Sequence, residues 1–160
     1  MSQHIKLFTD GSCSGNPGPG GYGFVLEYGE HRKGGFGAAK HTTNNRMELY
    51  AVIVGLNAIK NKSIPVEVLT DSQYIAQAFE EDWITRWREK NWINSRNKEV
   101  KNRDLWESLD QLVSEFSSLH FTWVRGHNGN KGNEQADSLA REGTELALTA
   151  LEYESEASQS

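Results

Sequence analysis

The sequence predicts an α/β (mixed α+β) domain with one five-stranded mixed sheet and helices on both faces. Three observations carry that expectation. The first 42 residues hold three strand-forming runs separated by turn residues. Helical and strand patterns then alternate, which is the mark of crossover connections. Between the two regions, MELYAVIVGLNAI is apolar around most of its circumference, as a helix buried in a core must be.

Residues 5–10 read as the first strand, and GSCSGNPGPGG (11–21) is rich enough in Gly and Pro to read as a turn. YGFVLEY (22–28) is the second strand, Glu30-His31-Arg32 a hairpin tip, and residues 33–42 a third strand weakened by Gly34, Gly35 and Gly37. Thr43, Asn44 or Asn45 can cap the central helix, expected to run to about Lys60. A strand over 64–70 follows, and Ser72 is a natural cap for a helix through about Glu80. Helical patterns return over 82–90 and from about Asn102 to Phe116. His120–Val124 is the last strand, and RGHNGNKGN leads to a final helix from about Asn133. The folded domain is expected over residues 1–146. Residues 147–160 are expected to be an acidic, disordered tail, since the sequence beyond Leu151, EYESEASQS, is polar and low in apolar side chains. Strands 1 and 4 should lie side by side, bringing Asp10 and Asp71 together, with Glu48 in the first turn of the central helix within reach.

The chain has 160 residues, enough for one domain with a real core. No apolar run approaches the ~20 residues that span a bilayer, and MSQHIKLF lacks the plan of a signal peptide. With a single cysteine, Cys13, no intrachain disulfide can form; a cytoplasmic location is expected. One cysteine and five dispersed histidines also make a zinc site a poor expectation. Net charge is −5, yet residues 86–103 carry seven basic and two acidic side chains, a local balance of +5. After Arg141 come five glutamates and no Lys or Arg. A local basic segment steers a polyanion even when the whole molecule is negative.

Asp10 and Asp71 end strand-forming runs, whereas Glu48 and Asp137 lie near the starts of helices. Convergence of such carboxylates makes a pocket whose self-repulsion calls for hard cations, of which Mg²⁺ is the usual one. The glycine-rich turn carries no Gly-Lys-Ser/Thr, so it is not a nucleotide-phosphate loop.

TDGSCSGNPGPGGYG, TTNNRMEL, TDSQY, the Trp- and Arg/Lys-rich segment, VRGHNGN and NEQADSLAR occur in the order and spacing of bacterial type 1 ribonucleases H (ribonuclease HI). The chain resembles that family over about residues 4–145. The resemblance implies a ribonuclease H-like fold. It implies a monomeric endonuclease that hydrolyses the RNA strand of RNA–DNA hybrids, has no membrane partner, and leaves 5′-phosphate and 3′-hydroxyl ends. Two Mg²⁺ ions are implied, with Mn²⁺ able to substitute. Asp10 would bridge them, Asp137 would help hold the one on the nucleophile side, and Glu48 and Asp71 the other. His127 would move a proton or help expel the product-side ion, and Glu134 would support the site. Cys13, Asn16, Asn44, Asn45 and Gln73 would contact RNA sugars and minor-groove edges. Trp83, Arg86, Trp87, Arg88 and Lys90, in a stretch that also holds Trp92, would grip the DNA strand; Thr43 and Asn102 would hold one DNA phosphate. Trp106 and Trp123 read as core. The chain departs from the family at Glu89, at Asn91 where Gly is frequent, at His41 where Arg is frequent, and at Asn130-Lys131 in place of a His-Pro pair. A hybrid-binding module without activity and a DNA-cutting relative on the same fold are the alternatives.

Overall fold

Two parallel strands set side by side at the centre of the sheet decide where the chemistry can occur. They are β1 (Ile5–Cys13) and β4 (Val66–Thr70), aligned from Ile5 opposite Val66 to Thr9 opposite Thr70. Asp10 and Asp71 are the next residues on each. The computed structural model describes residues 3–125 and 130–159. β2 (Gly18–Tyr28) and β3 (His31–Thr42) extend the sheet from β1 as an antiparallel meander, while β5 (Leu119–Trp123) pairs parallel with β4. The order is β3-β2-β1-β4-β5, the mixed five-stranded sheet expected.

The predicted turn over 11–21 is shorter in the structure, because β1 runs on to Cys13 and β2 begins at Gly18. One of the glycines that signal a turn, Gly21, serves instead to admit a helix. A Cβ on Gly21 of β2 would stand 2.5 Å from the carbonyl oxygen of Ala140, so only glycine lets α5 (Lys131–Gln159) lie flush on the strand.

α1 (Asn44–Asn57) crosses from β3 to β4 and buries Leu49, Val52 and Leu56 against Leu7, Val68 and Trp106. It ends before the expected Lys60, since Ala58 and Ile59 close its last turn with tight bonds to Gly55 and Leu56. α2 (Gln73–Glu80), α3 (Trp83–Glu89) and α4 (Arg103–Ser114) complete that face. On the other face Phe8, Val25 and Leu69 meet Ala136 of α5. Among the described residues no helix is long and apolar enough to cross a membrane.

The disordered tail expected over 147–160 is not what residues 147–159 form. They prolong α5, and Lys40 of β3 pairs with Glu154. The polar stretch EYESEASQS hid a helix whose nucleus is already made by its packed first half; Ala, Leu and Glu then extend it at little cost. Trp123 also departs from expectation: as the last residue of the edge strand β5 it is 41% exposed, not core. Trp106 is fully buried as expected and donates from Nε1 to the Tyr74 hydroxyl at 2.8 Å.

Candidate active site

Three carboxylates converge where the pairing of β1 with β4 ends, just past Thr9 and Thr70. One oxygen from each of Asp10, Glu48 and Asp71 lies within 4.8 Å of the others. Asp10 and Asp71 are brought together by the parallel register. Glu48 arrives because α1 starts beside β1: a Cβ on Gly11 would stand 2.6 Å from the Glu48 nitrogen. Thr43 fixes the entry of that helix, its hydroxyl accepting from Arg46 N at 3.2 Å. Ser72 does the same for α2 by accepting from Ile75 N, which locks the turn just after Asp71.

The site stores like charge in a dry place. Asp10 is 8% exposed and Glu48 5%. Burial, followed by the charge of Asp71 and a hydrogen bond to Asp137, pushes the Asp10 carboxyl up to about 8, against the pull of the Gly11 N–H at 2.9 Å. Glu48 is held well above the usual carboxylate range, by burial first and then by the charges of Asp10 and Asp71.

Asp137, on α5, reaches Asp10 but lies outside the tight trio; Arg141 donates to its Oδ2 at 2.6 Å, one turn along the helix. His127 lies outside the described residues, as do 126, 128 and 129. Glu134 is exposed in the first turn of α5. Where the family often has His-Pro, Asn130 caps this helix: its Oδ1 accepts from Asn133 N at 3.1 Å.

The donor set suits a hard divalent cation. The Glu48 Oε2 atom is buried with no hydrogen-bond partner, a state that costs roughly 1–3 kcal/mol unless something meets it. Three clustered carboxylates, two of them reluctant to ionise, supply the oxygen ligands that Mg²⁺ prefers. A bound cation would relieve both the orphaned oxygen and the repulsion.

The expected substrate residues fall into two groups. On one side of the acids, the Cys13 thiol lies 3.6 Å from the carbonyls of Gly18 and Thr42, and Asn16 Oδ1 accepts from Asn44 N at 3.1 Å. Asn44, Asn45 and Gln73 are exposed near the starts of α1 and α2. On the other side, Trp83 and Trp87 pack 6.0 Å apart over Tyr74 and Trp106, and Trp92 is buried. Arg86 donates to the Glu81 carbonyl and Arg88 to Asp110, whereas Lys90 is exposed at the end of α3. Thr43 and Asn102 are linked through Arg46, whose Nη1 donates to Asn102 Oδ1 at 3.3 Å while its fork pairs with Asp104.

Arg46 is therefore a residue that sequence reasoning missed, although it stands inside the NNRMEL motif. Asn133 is another. Its side-chain oxygen and nitrogen are both buried without partners, one turn before Asp137. Only its spacing of four from Asp137 could have drawn notice in the sequence.

A family model described as RNase H matches residues 2–145. The chain is 51% identical over 150 residues to a protein named Ribonuclease H from Aeromonas salmonicida, covering 92% of this chain and 96% of that protein. It is 50% identical over 141 residues to one from Idiomarina loihiensis, covering 88% of each. Among solved structures it is similar to LC9-RNase H1, described as a type 1 RNase H with the type 2 active-site motif. That match has a TM-score of 0.80 and 31% identity, over 92% of this chain and 74% of the other.

Proposed function

The chain belongs to the RNase H family, and is therefore an endoribonuclease, and from that premise we propose that it hydrolyses the RNA strand of RNA–DNA hybrids with two Mg²⁺ ions, leaving 5′-phosphate and 3′-hydroxyl ends. The observation that carries the reading is the trio of Asp10, Glu48 and Asp71 oxygens within 4.8 Å of one another. Such a cluster is costly for a protein that only binds, and useful to one that holds cations. Two bound cations supply an activated nucleophile and neutralise charge on the leaving oxygen.

The residues divide the remaining work. Asp10, Glu48, Asp71 and Asp137 would hold the ions, Asp10 serving both, Glu48 and Asp71 the leaving side and Asp137 the nucleophile side. His127 serves proton transfer or product release. Cys13, Asn16, Asn44, Asn45 and Gln73 meet the RNA strand, where a 2′-hydroxyl distinguishes it from DNA. Trp83, Trp87, Arg86, Arg88 and Lys90 meet the DNA strand, and Thr43 with Asn102 seats one of its phosphates. The catalytic unit comprises residues 1–146 and works as a cytoplasmic monomer.

Incubation with hybrid, duplex RNA, duplex DNA and single-stranded RNA in Mg²⁺, with both product ends labelled, tests this. Cutting confined to the RNA of the hybrid is expected. Binding without cutting, or cutting of duplex DNA, would replace it by one of the two alternatives.

A further inference from the structure

Trp123 ends β5 opposite Thr70, the last residue of β4 before Asp71. Its indole is 41% exposed on an edge strand, so burial alone gives little reason for so large an aromatic there. Its N–H does give one. Nε1 donates to the backbone carbonyl of Asp71 at 3.2 Å, and the next residue, Val124, donates from its backbone to the carbonyl of Thr70 at 2.8 Å. Two consecutive carbonyls at the end of β4 are thus gripped by two consecutive residues at the end of β5. On the far side of Asp71, Ser72 N donates to Thr70 Oγ1 at 3.1 Å and Ser72 caps α2.

We propose that Trp123 is a positioning residue for Asp71, its indole holding the peptide that follows Asp71 so that the carboxylate stays in register with Asp10 and Glu48. The proposal rests on the cation-dependent reading of that site. The carbonyl concerned belongs to the Asp71–Ser72 peptide. With Thr70 anchored to β5 and Ser72 anchored to α2, the main motion left to this short turn is rotation of that peptide plane. A shift of the Asp71 main chain that carried its Cβ and carboxylate away from Asp10 would also have to move this carbonyl, and the indole hydrogen bond opposes such a shift. Because small misplacements of a reacting constellation are expensive, a single hydrogen bond at this point reaches the chemistry although no indole atom takes part in it. The effect must therefore fall on cation affinity and kcat, and leave the hybrid KM alone.

Trp123→Phe keeps an aromatic ring at the edge and removes only the N–H. Calorimetric titration of Mg²⁺ into the hybrid-free protein should show its dissociation constant raised about fivefold, the scale of one net hydrogen bond. At subsaturating Mg²⁺ kcat should fall by a similar factor and recover as Mg²⁺ is raised, with KM unchanged and the melting temperature in EDTA little altered. In the unmutated protein, the Trp123 indole ¹⁵N–¹H resonance should shift on Mg²⁺ addition, which tests the link even if the variant folds poorly. Unchanged Mg²⁺ affinity, a resonance indifferent to Mg²⁺, or a raised KM at constant kcat would overturn the proposal; the last would make Trp123 a substrate contact. If the unmutated protein cuts no hybrid, the reading of function fails, while the Mg²⁺ titrations still decide the role of Trp123.

Discussion

Gly11 and Glu48 touch backbone to backbone: a Cβ added to Gly11 would stand 2.6 Å from the Glu48 nitrogen and 2.8 Å from the Met47 carbonyl carbon. The neighbour is main chain in a buried helix turn, so it cannot step aside as a side-chain tip would. Gly11→Ala should push α1 away from β1 and carry Glu48 out of reach of Asp10. Overpacking of this kind typically costs about 1–3 kcal/mol, seen as a lowered melting temperature. Activity should fall by more than tenfold beyond what unfolding explains, measured well below the melting temperature.

The acid cluster makes the cation-free protein sensitive to pH. Asp10 keeps its proton up to about 8 when folded, against 3.8 ordinarily, and Glu48 is raised in the same direction. Between those values the folded state binds more protons than the unfolded chain. Stability is therefore fullest at low pH within this window and declines as pH rises through the folded pKa, by at most about 1.4 kcal/mol per pH unit for each proton. Thermal melts in EDTA from pH 5 to 8 should show that decline. Mg²⁺, by binding the ionised acids of the folded state, should flatten it.

Asp10→Asn removes the central charge and should abolish cleavage while hybrid binding remains measurable. In EDTA at pH 8 the variant should melt higher than the unmutated protein, because Glu48 and Asp71 no longer face a carboxylate there. Mg²⁺ should raise its melting temperature less. Activity within tenfold of the original would remove Asp10 from its assigned role. A lower melting temperature in EDTA would mean that the hydrogen bond from the Gly11 N–H outweighs the repulsion.

The basic segment is not uniform. Arg86, Arg88 and Lys90 are all exposed, but Arg88 is committed to Asp110 and Arg86 to the Glu81 carbonyl, whereas Lys90 makes no ion pair among the described residues. Lys90→Ala should therefore raise KM more than Arg88→Ala. It should reduce the slope of log affinity against log salt by about one, as loss of one phosphate contact does. Neutralising all three should raise KM far more than it lowers kcat. An unchanged salt slope would mean that this segment does not meet the substrate.

The topology and the three converging acids were legible because both rest on short-range signals. Asp10 and Asp71 close strand runs, and a parallel pairing of those strands leaves no other place for them. Other features depend on what lies across from a residue, which a linear pattern does not carry. Gly21 reads as turn and Gly23 as ordinary strand until α5 is laid on them. Trp123 reads as core by type, yet the strand bearing it is an edge. The link from Arg46 to Asn102 spans 56 positions and leaves no local trace. The end of α5 failed for a different reason: composition measures whether a segment can fold alone, and this one continues a helix already folded.

That extension yields the last prediction. Residues 147–159 lie beyond the span matched by the family model, and they carry Glu152, Glu154 and Glu156, of which Glu154 pairs with Lys40 of β3. Lys40 is two residues from Thr42, whose carbonyl meets the Cys13 thiol. Acids on this extension repel a phosphate backbone, and Glu154 neutralises a lysine that could attract it. Truncation after Leu146 removes three negative charges and frees Lys40 without touching the acid trio. The pair is more than half exposed on both sides, so its loss should change stability by no more than about 1 kcal/mol. Hybrid binding should become tighter by a few-fold at 50 mM salt, and the gain should vanish as salt rises toward 0.5 M, where the Debye length is only about 4–5 Å. The value of kcat should stay within twofold. Weaker binding at low salt would mean that the helical extension itself holds the substrate, through Tyr153 and the exposed Leu148 rather than through charge.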